Sequence, residues 1–250
     1  MSGHSKWAQI KRQKGVADVK RGQIFTKLGR EISVAVREGG PNADANPRLR
    51  LAIDRARAAN MPIDTIDRAI KRAAGGPEGA ALDQVTYEGY GPGGAAILVE
   101  VLTDNRNRAV AEVRSAFTRA GGSLGEAGCV AWMFNQQGLL TIEADGNDPD
   151  EISLWAIDAG AEDVRVDGST VEVYTAPGDL ESARSALAAR KANITGAELA
   201  MVPTTSISLD PKEAASTLRL MERLEDLDDV QKVYTNLEIS EEALAEYEQR

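Results

Sequence analysis

The chain has 250 residues, 42% hydrophobic and 27% charged, with a formal net charge of −10. That is globular composition with length for two or three domains. One cysteine and one histidine exclude an internal disulfide, leave little for a zinc site and remove most His/Cys chemistry, so no metal, cofactor or enzymatic activity is expected.

The start, Met1-Ser2-Gly3-His4-Ser5-Lys6-Trp7, lacks the apolar core of a secretory signal. The longest apolar runs, such as residues 95–99, are strand-sized. A cytoplasmic protein with no membrane partner is expected. Charge is segregated: residues 1–75 carry 16 Lys or Arg against 7 Asp or Glu (+9), and residues 76–250 carry 13 against 32 (−19). A basic part on an acidic chain points to nucleic-acid contact by the basic part. Lys6, Lys11, Arg12 and Lys14 precede the first acid, Asp18, with Trp7 among them. Such an arm can neutralise phosphates while the indole either stacks on a base or anchors the arm to its own domain. His4 has no partner visible in the sequence, so no general-base role is expected.

Residues 18–38 place Phe25, Leu28, Ile32 and Val36 on one face of an amphipathic helix, with Lys20, Lys27, Arg30 and Arg37 available elsewhere on its surface. Gly39-Gly40-Pro41 ends it. Asn46-Pro47 caps and opens a second helix through Leu49, Ile53 and Ala56. A third presents Ile63, Ile66 and Ile70 and stops before Gly75-Gly76-Pro77. Three short helices can share one small core.

Beyond that linker, residues 83–88 and 95–102 read as strands, residues 103–120 as a helix with Val110, Val113 and Phe117 inward, and residues 129–134 as a strand. Cys129 in this apolar stretch reads as a small core residue. Then come a strand at 139–143, a helix at 149–159, strands at 163–166 and 171–175, a helix at 179–191 and an extended run at 194–202, the ferredoxin-like order βαββαβ. Residues 204–209, 211–224 and 230–235 follow as strand, helix and strand. The fold class expected is α+β: an N-terminal three-helix domain followed by two ferredoxin-like α/β domains, one inserted in the other. The boundaries are 1–77, then 78–135 with 203–240, with 136–202 inserted.

Gly89-Tyr90-Gly91-Pro92-Gly93-Gly94 satisfies G-x-G-x-x-G by letter. A dinucleotide turn needs a helix after it, and here a strand follows, so a tight loop between strands is the reading. At Thr103-Asp104-Asn105-Arg106-Asn107-Arg108, Thr103 or Asp104 can cap a helix whose first turn carries Arg106 and Arg108, either as solvated cations or as a phosphate contact. The acid run 225–229 lacks calcium-loop spacing and reads as a solvated turn.

Gly3-His4-Ser5-Lys6-Trp7, Tyr87-Glu88-Gly89-Tyr90-Gly91-Pro92-Gly93-Gly94 and Leu102-Thr103-Asp104-Asn105-Arg106-Asn107-Arg108 together resemble the YebC/PmpR family. The likeness covers essentially the whole chain, including Asn46-Pro47, Gly121-Gly122 and Asp228-Asp229-Val230. It implies a helical amino-terminal domain, two α/β domains with one inserted in the other, and a non-enzymatic regulator of gene expression. Bacterial members are labelled DNA-binding transcriptional regulators. The family also includes the mitochondrial translational activator of cytochrome c oxidase and ribosome-associated factors that relieve stalling on sequences such as proline runs. The expected partner is nucleic acid, either DNA or ribosomal RNA and tRNA, with the ribosome as a candidate. A bare basic arm suits irregular RNA, whereas DNA readers usually present a recognition helix. The candidate contact residues are Lys6, Trp7, Lys11, Arg12, Lys14, Lys20, Arg21, Lys27, Arg30, Arg106 and Arg108.

Overall fold

The computed structural model describes residues 6–7, 18–75 and 82–249, the side chains of residues 18–21 excepted. The first three helices are α1 (Asp18–Gly39), α2 (Pro47–Ala58) and α3 (Ile63–Ala74). Their shared core is Leu28, Ile32, Ala35 and Val36 of α1, Leu49, Ala52 and Ala56 of α2, and Ile66 of α3. Phe25, Ile53 and Ile70 are only partly buried against it, and Ile63, expected inward, is 65% exposed because it opens its helix. Asn46 caps α2 by accepting the Leu49 N–H at 3.0 Å while its amide donates to the carbonyls of Ala35 and Gly40. One buried amide thus ends α1 and starts α2. A Cβ on Gly39 would lie 2.6 Å from the Asn46 side chain, so that close approach needs a glycine.

The rest of the chain builds two four-stranded antiparallel sheets. β1 (Asp83–Tyr90) and β2 (Ala96–Thr103) form a hairpin, α4 (Arg106–Arg119) follows, and β3 (Ser123–Leu124) pairs with β1. β4 (Phe134–Glu143), α5 (Pro149–Asp158), β5 (Asp163–Asp167), β6 (Thr170–Thr175), α6 (Leu180–Ala189) and β7 (Asn193–Pro203) make the second sheet, in order β5-β6-β4-β7. That is the ferredoxin-like arrangement. The chain then returns through α7 (Pro211–Glu225) to β8 (Val230–Thr235), completing the first sheet in order β3-β1-β2-β8, and ends in α8 (Glu241–Glu248).

Residues 95–99 are continuously apolar because β2 is covered on both faces. Ile97 and Val99 pack with α4 and α7, while Ala96 and Leu98 meet Leu139, Tyr174, Ala200 and Val202 of the second sheet. A strand buried on both faces loses its alternation. The glycine-rich loop lies between two antiparallel strands, with Gly93 and Gly94 at φ of 70° and 84°, which an L side chain resists.

Three further expectations are corrected, and one helix is added. Residues 129–134 are not a strand: Ala131–Met133 form a 3-10 turn, and the edge strand is Ser123–Leu124 instead. The cause is Glu88, a buried carboxylate on β1 that accepts the backbone N–H groups of Gly128, Val130 and Ala131 at 2.6–2.8 Å. Residues 204–209 are also not a strand, since only Ile207 bridges, to Leu237. Their alternation reflects Ile207 and Leu209 lying against the first core. Asn105, rather than Thr103 or Asp104, caps α4 by accepting the Arg108 N–H at 3.0 Å. The added helix is α8: Ser240 caps it, and Ala243 and Tyr247 complete the first core.

Candidate nucleic-acid interface

Trp7 is 1% exposed and belongs to the core beneath α7 and α8. Its indole N–H donates to Glu225 Oε1 at 3.1 Å, and its ring meets Tyr247 edge-on, centroids 5.5 Å apart. The Tyr247 hydroxyl donates to Glu222 at 2.8 Å. Burial first, and the neighbouring Glu222 carboxylate second, hold the Tyr247 phenol well above its usual range. Of the two roles open to Trp7, the structure has the anchor; a base cannot stack on a ring this enclosed. Lys6 beside it is half-buried, with Nζ 4.0 Å from Asp167. Lys11, Arg12 and Lys14 lie outside the described residues, and Lys20 and Arg21 are placed in α1 without their side chains described.

Of the cations of α1 and α4, Lys27, Arg30, Arg106 and Arg108 meet oxygen partners on the body. Lys27 donates to the Glu225 carbonyl. Arg30 Nη1 donates to Asp229 Oδ1 at 2.8 Å and to the Asp228 carbonyl. Arg108 Nη2 reaches Asp229 Oδ2 at 2.7 Å and Asp104 at 2.8 Å, and the Thr103 hydroxyl also donates to Asp229 Oδ2. Burial alone would push the Asp229 carboxyl up, but these donors and the charges of Arg30 and Arg108 outweigh it and hold it below its usual range. A buried carboxylate flanked in this way stays ionised. Arg106 pairs with Asp83 at 2.7 Å on an exposed surface. In α2, Arg55 turns inward to Glu31 at 2.7 Å.

What remains outward in the helical region is mainly on α3. Arg68, Lys71 and Arg72 are exposed, and none forms an ion pair among the described residues. Arg68 bonds only its own turn, through Asp64 O and Thr65 Oγ1. Sequence reasoning missed this cluster because it could not tell cations that meet carboxylates from those that do not. The same holds for Trp132, which projects 68% exposed from the turn held by Glu88, while Trp7 is the enclosed one. Cys129 beneath that turn is half-buried; burial, with the Glu88 charge behind it, pushes its thiol up. The described residues contain no His, Cys, Asp and Glu group able to hold a metal, and no helix long and apolar enough to cross a membrane.

Three N-terminal helices followed by two antiparallel four-stranded sheets define a mixed helix-and-sheet protein with a basic head on an acidic body. Family models described as the TACO1/YebC protein N-terminal domain and the TACO1/YebC second and third domain match residues 5–76 and 82–237. The chain belongs to the TACO1/YebC family. It is 54% identical over 240 residues to a "Probable transcriptional regulatory protein" of Trichlorobacter lovleyi, covering 96% of this chain and 97% of that one. It is 56% identical over 242 residues to one so named from Moorella thermoacetica, covering 96% of each. A crystal structure of a conserved hypothetical protein from Aquifex aeolicus superposes with a TM-score of 0.84 at 44% identity, covering 90% of this chain and 93% of that one.

Proposed function

We propose that the chain is a non-enzymatic, nucleic-acid-binding regulator of gene expression of the DNA-binding transcriptional class, working in the cytoplasm as three units: 1–77, 78–135 with 203–240, and the inserted 136–202. The observation that carries this is the division of charge, +9 over the first 75 residues and −19 over the rest, from 16 cations against 7 acids and 13 against 32. The names of the relatives agree with it. Lys6, Lys11, Arg12, Lys14, Lys20 and Arg21 supply phosphate contacts from a segment rooted at Trp7. Lys27 and Arg30, held by the body, add field rather than contacts. Arg106 exchanges the exposed carboxylate of Asp83 for a phosphate, and Arg108 does the same with Asp104 while keeping its bond to the buried Asp229, because exposed ion pairs are worth only ~0–1 kcal/mol. The acidic body repels other phosphates and so restrains indiscriminate binding.

A second reading, a ribosome-associated translation factor that binds ribosomal RNA or tRNA and relieves stalling, is favoured by one observation. Lys27, Arg30 and Arg55 face inward, so α1 and α2 do not present these cations to a major groove as a recognition helix does. The test is binding to duplex DNA and to RNA across a salt series, with ribosome co-sedimentation, for the wild type and a Lys11→Gln/Arg12→Gln/Lys14→Gln variant. Deleting residues 1–20 would also remove Trp7 from the core, so substitution is the cleaner probe. With about 6 phosphates neutralised, log affinity falls with log salt at a slope near −5 on duplex DNA. A preferred duplex that resists competitor supports the transcriptional role. Co-sedimentation that the variant loses supports the translational one. A salt-independent response without co-sedimentation overturns both.

A further inference from the structure

A groove of about 530 Å³ opens between α4 and α7 on the acidic body, lined by Arg119, Ser216, Arg219, Glu222, Arg223 and Asp226. Residues 76–250 hold only 13 Lys or Arg among 32 acids, yet three arginines converge here. Arg119 and Arg223 are exposed and form no hydrogen bond or ion pair among the described residues. Arg219 donates to the Glu246 carbonyl at 2.9 Å. Of the two carboxylates, Glu222 accepts the Tyr247 hydroxyl, which fixes it toward α8. Arg119 and Arg223 each occupy the last turn of a helix, where the helix dipole favours a cation. The dipole explains one arginine per helix end; it does not explain Arg219 a turn earlier, nor why two guanidiniums beside so many acids stay without a carboxylate.

The helix that carries Arg219 and Arg223 also holds the root of the basic arm. Glu222 holds Tyr247, the Tyr247 ring packs against Trp7, and Trp7 donates to Glu225 on the same helix as Arg219 and Arg223. Lys27 reaches the last residue of that helix, Glu225, and Arg30 the turn just after it, at Asp228. Cations therefore border the C-terminal half of α7 on both sides. The volume lies within the range of ligand clefts, about 300–1,000 Å³, the size for a short segment of one strand to enter. Guanidinium forks suit phosphate oxygens.

We infer that the groove formed by Arg119, Arg219 and Arg223 between α4 and α7 binds the phosphodiester backbone of a single RNA strand, extending onto the body a track that begins at the arm. The inference rests on the nucleic-acid reading above. Each unpaired arginine gives its guanidinium to a phosphate oxygen.

The test compares wild type, Arg119→Gln/Arg223→Gln, the Lys11→Gln/Arg12→Gln/Lys14→Gln arm variant, and an Arg190→Gln/Lys191→Gln control that removes the same charge far from the groove. Each is titrated with a labelled single-stranded RNA and with duplex DNA across a salt series, and each is checked for an unchanged Tm. The groove variant is expected to bind RNA roughly tenfold more weakly and to flatten the salt slope by about 1.4, the share of two phosphates on a single strand. The control should match wild type. RNA binding unchanged in the groove variant but weakened in the arm variant overturns the groove and leaves the functional reading standing. An equal loss on duplex DNA, or in the control, overturns the single-strand assignment. No binding by wild type to either probe overturns both.

Discussion

Arg30 on α1 and Asp229 in the turn before β8, 199 residues apart in sequence, meet at 2.8 Å around a carboxylate that Arg108 and Thr103 also hold. The carboxylate is 4% exposed, so it ties the helical head to the first sheet from a shielded position. The basic head is thereby a fixed part of the acidic body, and an arginine expected to meet phosphate is instead part of the join.

Replacing Asp229 by Asn should lower stability by up to about 3–5 kcal/mol, the range for removing one partner of a buried ion pair. The pH dependence follows from the sign of the shift. The folded carboxyl titrates below its ordinary value, so its stabilisation is fully present above the unfolded value of about 3.9 and is lost as pH falls through the folded one. Urea midpoints of wild type and D229N should differ by a constant amount from about pH 5 to 8 and converge in stronger acid. Equal midpoints at neutral pH would remove Asp229 from the join.

Trp7 should behave as a core residue although it stands seven residues from the start. Trp7→Ala is expected to cost about 3–5 kcal/mol, as for other buried aromatics. Trp7→Phe keeps most of the packing against Tyr247 and loses the N–H to Glu225, about 1 kcal/mol. Acrylamide quenching gives an independent reading: Trp132, 68% exposed, should account for most of the accessible emission, and Trp132→Phe should remove it. A large accessible fraction left after Trp132→Phe and Trp155→Phe together, Trp155 being half-buried, would contradict the enclosed position of Trp7.

Glu88 is the clearest case of a side chain that shapes backbone. Burial would push its carboxyl up, but three backbone N–H donors outweigh burial and hold it below its usual value. Glu88→Gln keeps the size while presenting an NH2 group to donors, so the turn at Ala131–Met133 should loosen at a cost of about 2–3 kcal/mol. The Trp132 emission spectrum and the thermal midpoint should both change. As with Asp229, this contribution exists above the unfolded pKa and disappears in acid as pH falls through the folded one.

Most of the architecture was readable from periodicity and punctuation. Leu28, Ile32 and Val36 mark α1, Asn46-Pro47 starts α2, and the βαββαβ order of the second sheet follows from apolar runs separated by capped helices. The failures share one cause, contacts remote in sequence. The apolar residues 129–134 have strand composition, but Glu88, 40 and more residues earlier, gathers their N–H groups into a turn. Interface residues were harder to read, because a charge count cannot tell Arg30, which meets Asp229, from Arg72, which meets no carboxylate among the described residues. By sequence Trp7 fits both roles, and its enclosure against Tyr247 makes it the anchor.

The exposed cations of α3 lead to the last prediction. Arg68, Lys71 and Arg72 lie within two turns of one helix, and none forms an ion pair among the described residues. Glutamine at Lys71 and Arg72 keeps helix propensity and removes two charges, so stability should change by no more than ~0.5 kcal/mol. If these residues face the nucleic acid together with the arm, the salt slope of binding should flatten by about 1.8 on duplex DNA and about 1.4 on single strands. The arm and α3 belong to separate segments of the basic head, so losses from the two glutamine variants should add in free energy when combined. Full affinity and an unaltered slope in K71Q/R72Q would confine the contact to the arm and the body, and the positive balance of the helical head would then be a solvated surface beyond Trp7.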